Sequence, residues 1–301
     1  MTEVHAEDIQ FAARDGWPLV GTLYRGRDVP HYGVLISAGT GFPRRFYRHI
    51  AGYLAARGAM VLTYDYRGIA ESRNGDEGFD QIDYTDWGSL DLPSAIDTLR
   101  HQAKGLPLTH IGHSVGGHFL GLAANQIELS RHAFIGVGSG YWGAHHLWYI
   151  PLELYFWWGL GPYSLLRYKQ IMPIGGWSGE ALPPRLFRTW RRWCQRPGYL
   201  RRDLASASQL QSYAEVTAPI RSWVFSDDPI ATRKSAPDLL ALYPNASSEL
   251  AFRRPRDLGL RRIGHAGGFL PGRERLWEEV AAWLSAGPRD PGAWLRSAPP
   301  P

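Results

Sequence analysis

The chain has 301 residues, of which 44% are hydrophobic, so it is long enough to bury the core of one large domain with an inserted segment. Its formal net charge of +5 comes from arginines scattered along the sequence, with no known nucleic-acid-binding module beside them, so nucleic-acid binding is not expected. The nearest approach to a membrane span, residues 147–160, is short and contains Pro151 and Glu153, so a transmembrane helix is not expected either.

A single cysteine, Cys194, allows no internal disulfide and is typical of a reducing compartment. The first residues lack the basic and apolar pattern of a secretory leader. These two features predict a cytoplasmic protein. No metal or organic cofactor is expected, because His110 and His113 are accompanied by neither a His-Glu-x-x-His pattern nor a third ligand.

Strands and helices alternate through the first half of the chain. Residues 8–13 and 19–24 are predicted as antiparallel strands, with Asp15-Gly16 as the hairpin turn. Apolar runs predict further strands over residues 33–38, 59–65, 108–111 and 133–139. Helical spacing of apolar residues predicts helices over residues 44–57, 87–101 (where Pro93 delays the start or kinks the helix) and 115–124. This alternation predicts an α/β protein with a doubly wound, mostly parallel sheet.

The alternation stops over residues 140–213, which are rich in tryptophan, tyrosine, proline and glycine. We interpret these residues as an inserted cap, called the cap segment below. Within it, residues 184–196 are predicted as an amphipathic helix whose aromatic side either packs on the core or roofs an apolar acyl pocket. The core is predicted to comprise residues 1–139 and 214–286. Its last elements are a strand over 220–225, a helix over 232–242, a strand over 250–253 and a helix over 276–284, before a disordered tail over 287–301.

A nucleophile elbow is indicated by Gly112-His-Ser-Val-Gly116, which stands between the strand over 108–111 and the helix over 115–124. In such an elbow a strained turn exposes the hydroxyl of Ser114 above the sheet edge, and the flanking glycines permit close packing of the turn. The start of the following helix would direct the backbone N–H of Val115 toward an oxyanion formed by attack on a carbonyl group.

A serine hydroxyl needs a base within hydrogen-bonding reach and a third group that orients the base. In the α/β-hydrolase arrangement the acid and then the histidine follow the serine along the chain. Asp227 and Asp228 follow the strand over 220–225, and His265 lies in a glycine-flanked loop after the next strand. We favour Asp228 over Asp227, because the loop must continue past the strand end before a carboxylate can turn toward the histidine.

The second oxyanion donor is expected from the loop after the strand over 33–38, where the backbone N–H of Thr40 is the candidate. The side chain of His113, which belongs to the elbow, is expected to point away from the pocket. The residues expected around the substrate are Gly39, Gly41, Phe42, His113, Tyr141, Trp142 and Trp190. An aromatic cap favours an apolar acyl or aryl ester, and the same side could also meet a lipid surface.

Several stretches between about residue 10 and about residue 285 are similar to those of one known family. They include Thr40-Gly-Phe-Pro-Arg-Arg-Phe-Tyr, Leu62-Thr-Tyr-Asp-Tyr-Arg-Gly, Asp86-Trp-Gly-Ser-Leu-Asp-Leu-Pro, Gly112-His-Ser-Val-Gly-Gly, Gly138-Ser-Gly-Tyr-Trp, Phe225-Ser-Asp-Asp-Pro-Ile-Ala-Thr and Leu260-Arg-Arg-Ile-Gly-His. On these stretches the chain resembles the serine aminopeptidase-like branch of the α/β-hydrolase superfamily, in particular a group of bacterial predicted hydrolases. The resemblance implies an α/β-hydrolase fold with Ser114, Asp228 and His265 in the triad positions.

The sequence therefore predicts a serine hydrolase that cleaves carboxylic esters of small or medium apolar acyl groups. A serine aminopeptidase or amidase, and a non-catalytic binding protein that keeps the fold, are the alternatives. A dinucleotide site at the G-x-G-x-x-G sequence of residues 138–143 is not favoured, because Tyr141 and Trp142 would crowd a pyrophosphate and Pro151 would cut short the helix that should follow.

Overall fold

The long apolar runs of the sequence form the strands of one sheet in the computed structural model, which describes residues 3–204 and 207–286. Within these residues the sheet has eight strands in the spatial order β1-β2-β4-β3-β5-β6-β7-β8. The strands are β1 (Val4–Ala12), β2 (Pro18–Gly26), β3 (Tyr32–Ser37), β4 (Ala59–Tyr64), β5 (Leu108–His113), β6 (Leu129–Ile135), β7 (Ile220–Phe225) and β8 (Ser248–Arg253). β1 pairs antiparallel with β2 and β2 with β4, whereas all later pairs are parallel. The predicted mostly parallel sheet is confirmed.

α-Helices lie between successive strands from β3 onward and after β8, except between β5 and β6, where the described chain has only 3-10 turns. The helices are α1 (Arg48–Ala55), α2 (Tyr84–Asp86), α3 (Leu92–Ala103), α4 (Ile150–Leu154), α5 (Gly161–Tyr168), α6 (Pro184–Cys194), α7 (Ala207–Ala214), α8 (Ser235–Leu240) and α9 (Glu274–Ser285). Two π-helical turns, Trp87–Asp91 and Tyr155–Leu160, lead into α3 and α5. Pro93 lies in the first turn of α3, where its missing N–H is not needed, so the regular helix begins later than the apolar pattern alone predicts.

The prediction of a helix over residues 115–124 is wrong. The chain there makes two short 3-10 turns, Ser114–Gly117 and Leu120–Leu122. Each glycine weakens an α-helix by about 1 kcal/mol, and close packing requires these glycines. A β-carbon on Gly116 would lie 2.2 Å from the carbonyl oxygen of Ser37, and one on Gly121 would lie 2.3 Å from the ring of Tyr213. The apolar pattern reflects burial rather than helical periodicity.

The strand predicted over residues 133–139 lies earlier in the chain, at Leu129–Ile135. Gly136 adopts φ of +62° and ends the strand, while its N–H still donates to the carbonyl of Trp223 on β7. The next residues stay buried although they have left the sheet. Their apolar character therefore could not mark the end of the strand.

The cap segment contains helices α4 to α7, and aromatic rings of the π-helical turn before α5 pack against rings of α6. The ring of Trp157 lies 4.7 Å from that of Trp190 and 5.5 Å from that of Phe187. The predicted amphipathic helix is confirmed as α6, with Phe187 buried and Arg188 exposed. No described helix is both long enough and apolar enough to cross a membrane. The predicted tail, residues 287–301, lies outside the described residues, and the division into core and cap stays a prediction.

Two histidines face each other inside the sheet, His110 on β5 and His132 on β6, with ring centroids 5.5 Å apart. Both are fully buried, and no described residue forms a hydrogen bond with a ring nitrogen of either. Burial lowers the pKa of His132 from 6.5 to about 3. Burial, together with the neighbouring His132 ring, lowers the pKa of His110 well below 6.5. Both rings are therefore neutral in the folded protein at neutral pH.

Stability is expected to fall as the pH drops below 6.5, because His132 takes up a proton in the unfolded chain before it does so in the folded one. Each such histidine lowers the unfolding free energy by about 1.4 kcal/mol per pH unit within that range. A His132→Leu variant should show a slope smaller by that amount and higher stability at pH 5, since it also removes two unpaired buried nitrogens. Denaturant unfolding between pH 8 and pH 4 checks this, and equal slopes for the two proteins would contradict it.

Candidate active site

Ser114 lies at the carboxyl end of β5, in a turn that only closely packed glycines permit. Its φ of +50° places it in the left-handed region, a strained conformation for a residue with a β-carbon. A β-carbon on Gly112 would lie 2.8 Å from the Cα of Gly117. Ser114 thus lies in a tight turn directly after β5, as an elbow requires, although the turn behind it is a single four-residue 3-10 turn.

The side chains of Ser114, His265 and Asp228 form one continuous series of hydrogen bonds. The Nε2 atom of His265 lies 2.9 Å from the Oγ of Ser114. The Nδ1 atom of His265 lies 2.9 Å and 3.1 Å from the two carboxylate oxygens of Asp228. Since a carboxylate accepts, Nδ1 carries the proton and Nε2 is free to accept the proton of the serine hydroxyl.

Asp228 is fully buried, and the backbone fixes its carboxylate. Its Oδ1 atom accepts from the N–H groups of Ile230 at 2.9 Å and Ala231 at 3.0 Å. These bonds and the one to His265 satisfy a charge that would otherwise be costly to bury. The carboxylate is thus held in one orientation toward the histidine.

Asp227 has a different hydrogen-bond partner from Asp228. Its Oδ2 atom accepts from the backbone N–H of Ile263 at 2.8 Å, two residues before His265. The carboxylate therefore ties the loop after β7 to the loop that carries the histidine, and no hydrogen bond joins Asp227 to the ring of His265 in the described residues. Of the two neighbouring aspartates, Asp228 is the one that contacts the histidine side chain.

His113 lies beneath the site and links three of its loops. Its Nε2 donates to the backbone carbonyl of His265 at 3.2 Å, while its Nδ1 accepts from the hydroxyl of Tyr47 at 2.8 Å. That hydroxyl in turn accepts from the N–H of Gly39 at 2.8 Å. Burial, followed by the nearby His265, lowers the pKa of His113 well below 6.5, so it is neutral and its two nitrogens fit these opposite roles.

A cavity of about 270 Å³ opens at Ser114 and extends beneath the cap segment. Thr40, Val115 and His265 lie on its wall, together with Phe42 and Trp190 from the set expected around the substrate. The remaining wall is largely aromatic and aliphatic. It includes Tyr149, Leu152, Tyr155, Phe156, Trp157, Leu160, Trp177 and Tyr199.

Five residues expected around the substrate are not on the wall of this cavity. Gly39 packs against the ring of His113, and a β-carbon there would lie 2.8 Å from Nδ1. Gly41 has φ of +74° and lies behind Trp177, whose ring would be 2.6 Å from a β-carbon on this glycine. His113 is buried below the serine, as its position in the elbow predicts. Tyr141 and Trp142 lie where the chain enters a 3-10 turn, and the ring of Tyr141 folds over Gly143 rather than into the cavity.

The sequence analysis missed a buried polar pair in this cavity. The Nδ1 atom of His145 lies 2.6 Å from Oε1 of Glu153, and its Nε2 atom lies 3.1 Å from the carbonyl of Ser139. Both side chains line the cavity, and Oε2 of Glu153 has no hydrogen-bond partner among the described residues. The sequence held one signal of this pair, because Glu153 is a single acidic residue in a very apolar stretch and a buried acid needs a partner.

The glycines of the G-x-G-x-x-G sequence serve packing within the protein. A β-carbon on Gly138 would lie 2.5 Å from Oγ of Ser235, and one on Gly140 would lie 2.6 Å from the ring of Tyr199. Protein atoms therefore occupy the space that a pyrophosphate would need beside this loop. Among the described residues, no group of three or more histidine, cysteine or acidic side chains could hold a metal ion.

A mostly parallel eight-stranded sheet with a serine-bearing elbow at the end of β5 has the α/β-hydrolase fold, as the sequence predicts. A family model described as serine aminopeptidase, S33, matches residues 29–168. That range contains Ser114 and ends before Asp228 and His265. The resemblance to the serine aminopeptidase-like branch of the α/β hydrolases is thus confirmed.

Solved structures with this fold have several activities. A soluble variant of monoglyceride lipase from Saccharomyces cerevisiae is 17% identical, with a TM-score of 0.64 over 94% of each chain. A haloalkane dehalogenase from Bradyrhizobium elkani is 15% identical, with a TM-score of 0.62 over 93% of this chain and 98% of that one. Brefeldin A esterase, a bacterial protein, is 18% identical, with a TM-score of 0.58 over 95% of this chain and 77% of that one. A search among curated proteins found no match. At these identities the likeness shows the fold alone.

Proposed function

We propose that this protein is a serine hydrolase that cleaves carboxylic esters of small or medium apolar acyl groups. The observation that carries the proposal is the hydrogen bond of 2.9 Å between Nε2 of His265 and Oγ of Ser114, with Asp228 on the other side of the ring. A base that reaches the hydroxyl and an acid that fixes the base are what an activated serine needs. The open space at Ser114 leaves room for an ester carbonyl.

In the proposed reaction His265 takes the proton from Ser114 as Oγ attacks the ester carbonyl carbon. The negative oxygen of the tetrahedral intermediate accepts from the backbone N–H groups of Val115 and Thr40. When the bond to the alkoxy group breaks, His265 Nε2 gives its proton to the departing alcohol. Water then attacks the acyl-enzyme with His265 again as base, and the acid is released as Ser114 recovers its proton.

The oxyanion site rests on local backbone geometry rather than on a long helix dipole. The turn after Ser114 has only four residues, too short for a macrodipole of the usual size, so the N–H of Val115 acts as a single directed donor. The loop that offers Thr40 is held by two contacts. The Thr40 hydroxyl forms a hydrogen bond with the hydroxyl of Tyr84, and the N–H of Gly39 donates to Tyr47.

The apolar wall of the cavity supports an ester with an apolar acyl group. The cap segment supplies most of it, and Phe156, Trp157 and Trp190 form a continuous ring cluster there. The cap segment thereby acts as the roof of the acyl pocket. In α6, Phe187 packs into the cluster, while Trp190 and Cys194 lie on the cavity wall. The aromatic side of this helix therefore both packs inside the protein and covers the acyl pocket.

A series of p-nitrophenyl esters from acetate to dodecanoate tests the substrate class. We expect kcat/KM to rise about fourfold for each methylene group that enters the cavity, and then to stop rising once the cavity is full. Matched acyl p-nitroanilides and aminoacyl p-nitroanilides test the aminopeptidase or amidase alternative, which the description of the matching family favours. Faster cleavage of the anilides would assign peptidase or amidase action. No turnover of any substrate by folded protein would favour a binding protein.

A further inference from the structure

The cap segment exposes an unusual amount of apolar surface. The described residues include fourteen large apolar side chains that are exposed, and nine of them lie between residues 147 and 168. Trp148 is 67% exposed, Trp158 is 60% exposed and Leu166 is 78% exposed. Contiguous apolar patches of this kind on a protein surface mark binding to a partner or to a membrane.

These side chains form one stripe along a continuous helical segment, α4, the π-helical turn and α5. The exposed residues recur every three to five positions, at Leu152, Tyr155, Trp158, Tyr163 and Leu166. The buried residues of the same segment recur between them, at Glu153, Trp157, Leu160 and Ser164. Because residues with this spacing share a side of a helix, the apolar stripe faces water and the only carboxylate of the segment faces inward.

Cations outnumber anions around the stripe, where an exposed carboxylate, Asp80, shares a groove with Lys169 and Arg188. Arg167 and Lys169 at the end of α5 and Arg188 on the adjacent α6 are exposed, and the structure gives none of the three an ion pair with any described residue. Leu166, Lys169 and Arg188 line one shallow groove between the two helices. The guanidinium of Arg191 lies 5.0 Å from the ring of Trp158. The patch therefore combines exposed tryptophan, tyrosine and leucine with unpaired cations.

We propose that this face, residues 147–168 with the cations Arg167, Lys169 and Arg188, docks on the surface of an anionic phospholipid bilayer. Tryptophan and tyrosine prefer the interface between headgroups and acyl chains, and nearby lysine and arginine side chains are attracted to anionic headgroups. A second copy of the chain fits less well, because a two-fold interface through the same patch would bring the cations of both copies together.

The cavity connects the patch to Ser114. Leu152 and Tyr155 belong to the exposed stripe and also line the cavity wall. When the patch lies on the bilayer, the mouth of the cavity opens at the lipid surface. The docking rests on exposed side chains that make none of the hydrogen bonds between Ser114, His265 and Asp228. It therefore does not depend on the proposed hydrolase activity and can fail or hold independently.

Vesicle flotation of the full chain tests the docking. Wild-type protein should float with vesicles of phosphatidylcholine and phosphatidylglycerol, with at least tenfold weaker partition onto phosphatidylcholine alone and weaker partition at high salt. The triple variant Trp148→Ser, Trp158→Ser, Leu166→Ser should lose at least tenfold in partition. The double variant Arg167→Glu, Lys169→Glu should weaken binding to the anionic vesicles alone. None of these residues lines the cavity, so hydrolysis of a water-soluble ester should be unchanged.

Ile127→Ser is the matched control. Ile127 is 69% exposed, yet it precedes β6 and thus lies at the sheet edge opposite Ser114. The partition of Ile127→Ser onto vesicles should equal that of wild type. Circular dichroism verifies that every variant folds. Absence of flotation, or equal flotation with neutral and anionic vesicles, would overturn the proposal. Self-association in sedimentation velocity that the triple variant abolishes, without vesicle binding, would assign the patch to a second copy instead.

Discussion

A Ser114→Ala variant is expected to lose ester hydrolysis almost completely, with kcat for p-nitrophenyl butyrate lower by roughly 10⁵-fold or more. The nucleophile itself is removed, so only the oxyanion donors and substrate binding remain to accelerate attack by water. Labelling by a fluorophosphonate probe should disappear as well, because the probe bonds to an activated serine oxygen. Thermal unfolding should change little, since alanine keeps the same β-carbon in the left-handed turn at φ of +50°.

Ser178→Ala provides the matched control for this substitution. Ser178 also lines the cavity but is exposed, and the structure gives its hydroxyl no histidine partner among the described residues. Its removal should leave both kcat and probe labelling within about a factor of three of wild type. Labelling that survives in Ser114→Ala and vanishes in Ser178→Ala would assign Ser178 as the nucleophile. Turnover that persists in Ser114→Ala would show that Ser114 is not required.

The residues of the hydrogen-bonded series could be predicted because each follows a strand that the local sequence marks clearly. Ser114 stands in a short motif between apolar runs, and Asp228 and His265 follow β7 and β8 in the order that the fold imposes. Ten other histidines are present, and their number alone would have hidden the base. The order of elements along the chain therefore carried the prediction, whereas composition did not.

The cavity wall could not be predicted in the same way, because it depends on contacts between distant segments. Trp177 covers Gly41, and this places the glycine behind the wall although its position after β3 suggests substrate contact. Glu153 and His145 are only 8 residues apart, but their contact depends on how the chain turns between them. No local pattern states which side of a cap helix faces the cavity. Of the residues expected around the substrate, Phe42 and Trp190 lie on the cavity wall, and the expected set did not include His145 or Glu153.

The glycines after Ser114 show a second limit of predicting structure from the sequence. Residues 115–124 are apolar enough for a buried helix, but Gly116 and Gly121 are needed where Ser37 and Tyr213 approach. A single sequence shows the glycine without the atom that requires it. Helical periodicity was therefore assigned to residues whose apolar character has another cause, and the chain makes two 3-10 turns instead.

Asp228→Asn is expected to lower kcat by roughly 10⁴-fold while leaving the geometry of the site largely intact. An asparagine amide in this place can donate to Nδ1 of His265, which moves the ring proton to Nε2. In that tautomer Nε2 can no longer accept the proton of Ser114, although the distance of 2.9 Å between them is unchanged. The loss should appear in kcat more than in KM, because the carboxylate lies behind the histidine and does not face the cavity.

The substitution Asp227→Asn at the neighbouring position tests which of the two aspartates orients His265, a choice that the sequence alone did not decide. Asparagine retains an oxygen that can accept from the N–H of Ile263, so the loop that carries His265 keeps its anchor. Activity should stay within about tenfold of wild type. Asp227→Ala removes that acceptor and leaves a buried N–H unpaired, so it should cost about 1 to 3 kcal/mol of stability while retaining a measurable kcat. Because the two carboxylates are adjacent in the chain and differ only in what they contact, a larger loss of kcat in Asp227→Asn than in Asp228→Asn would exclude Asp228 as the group that orients the base.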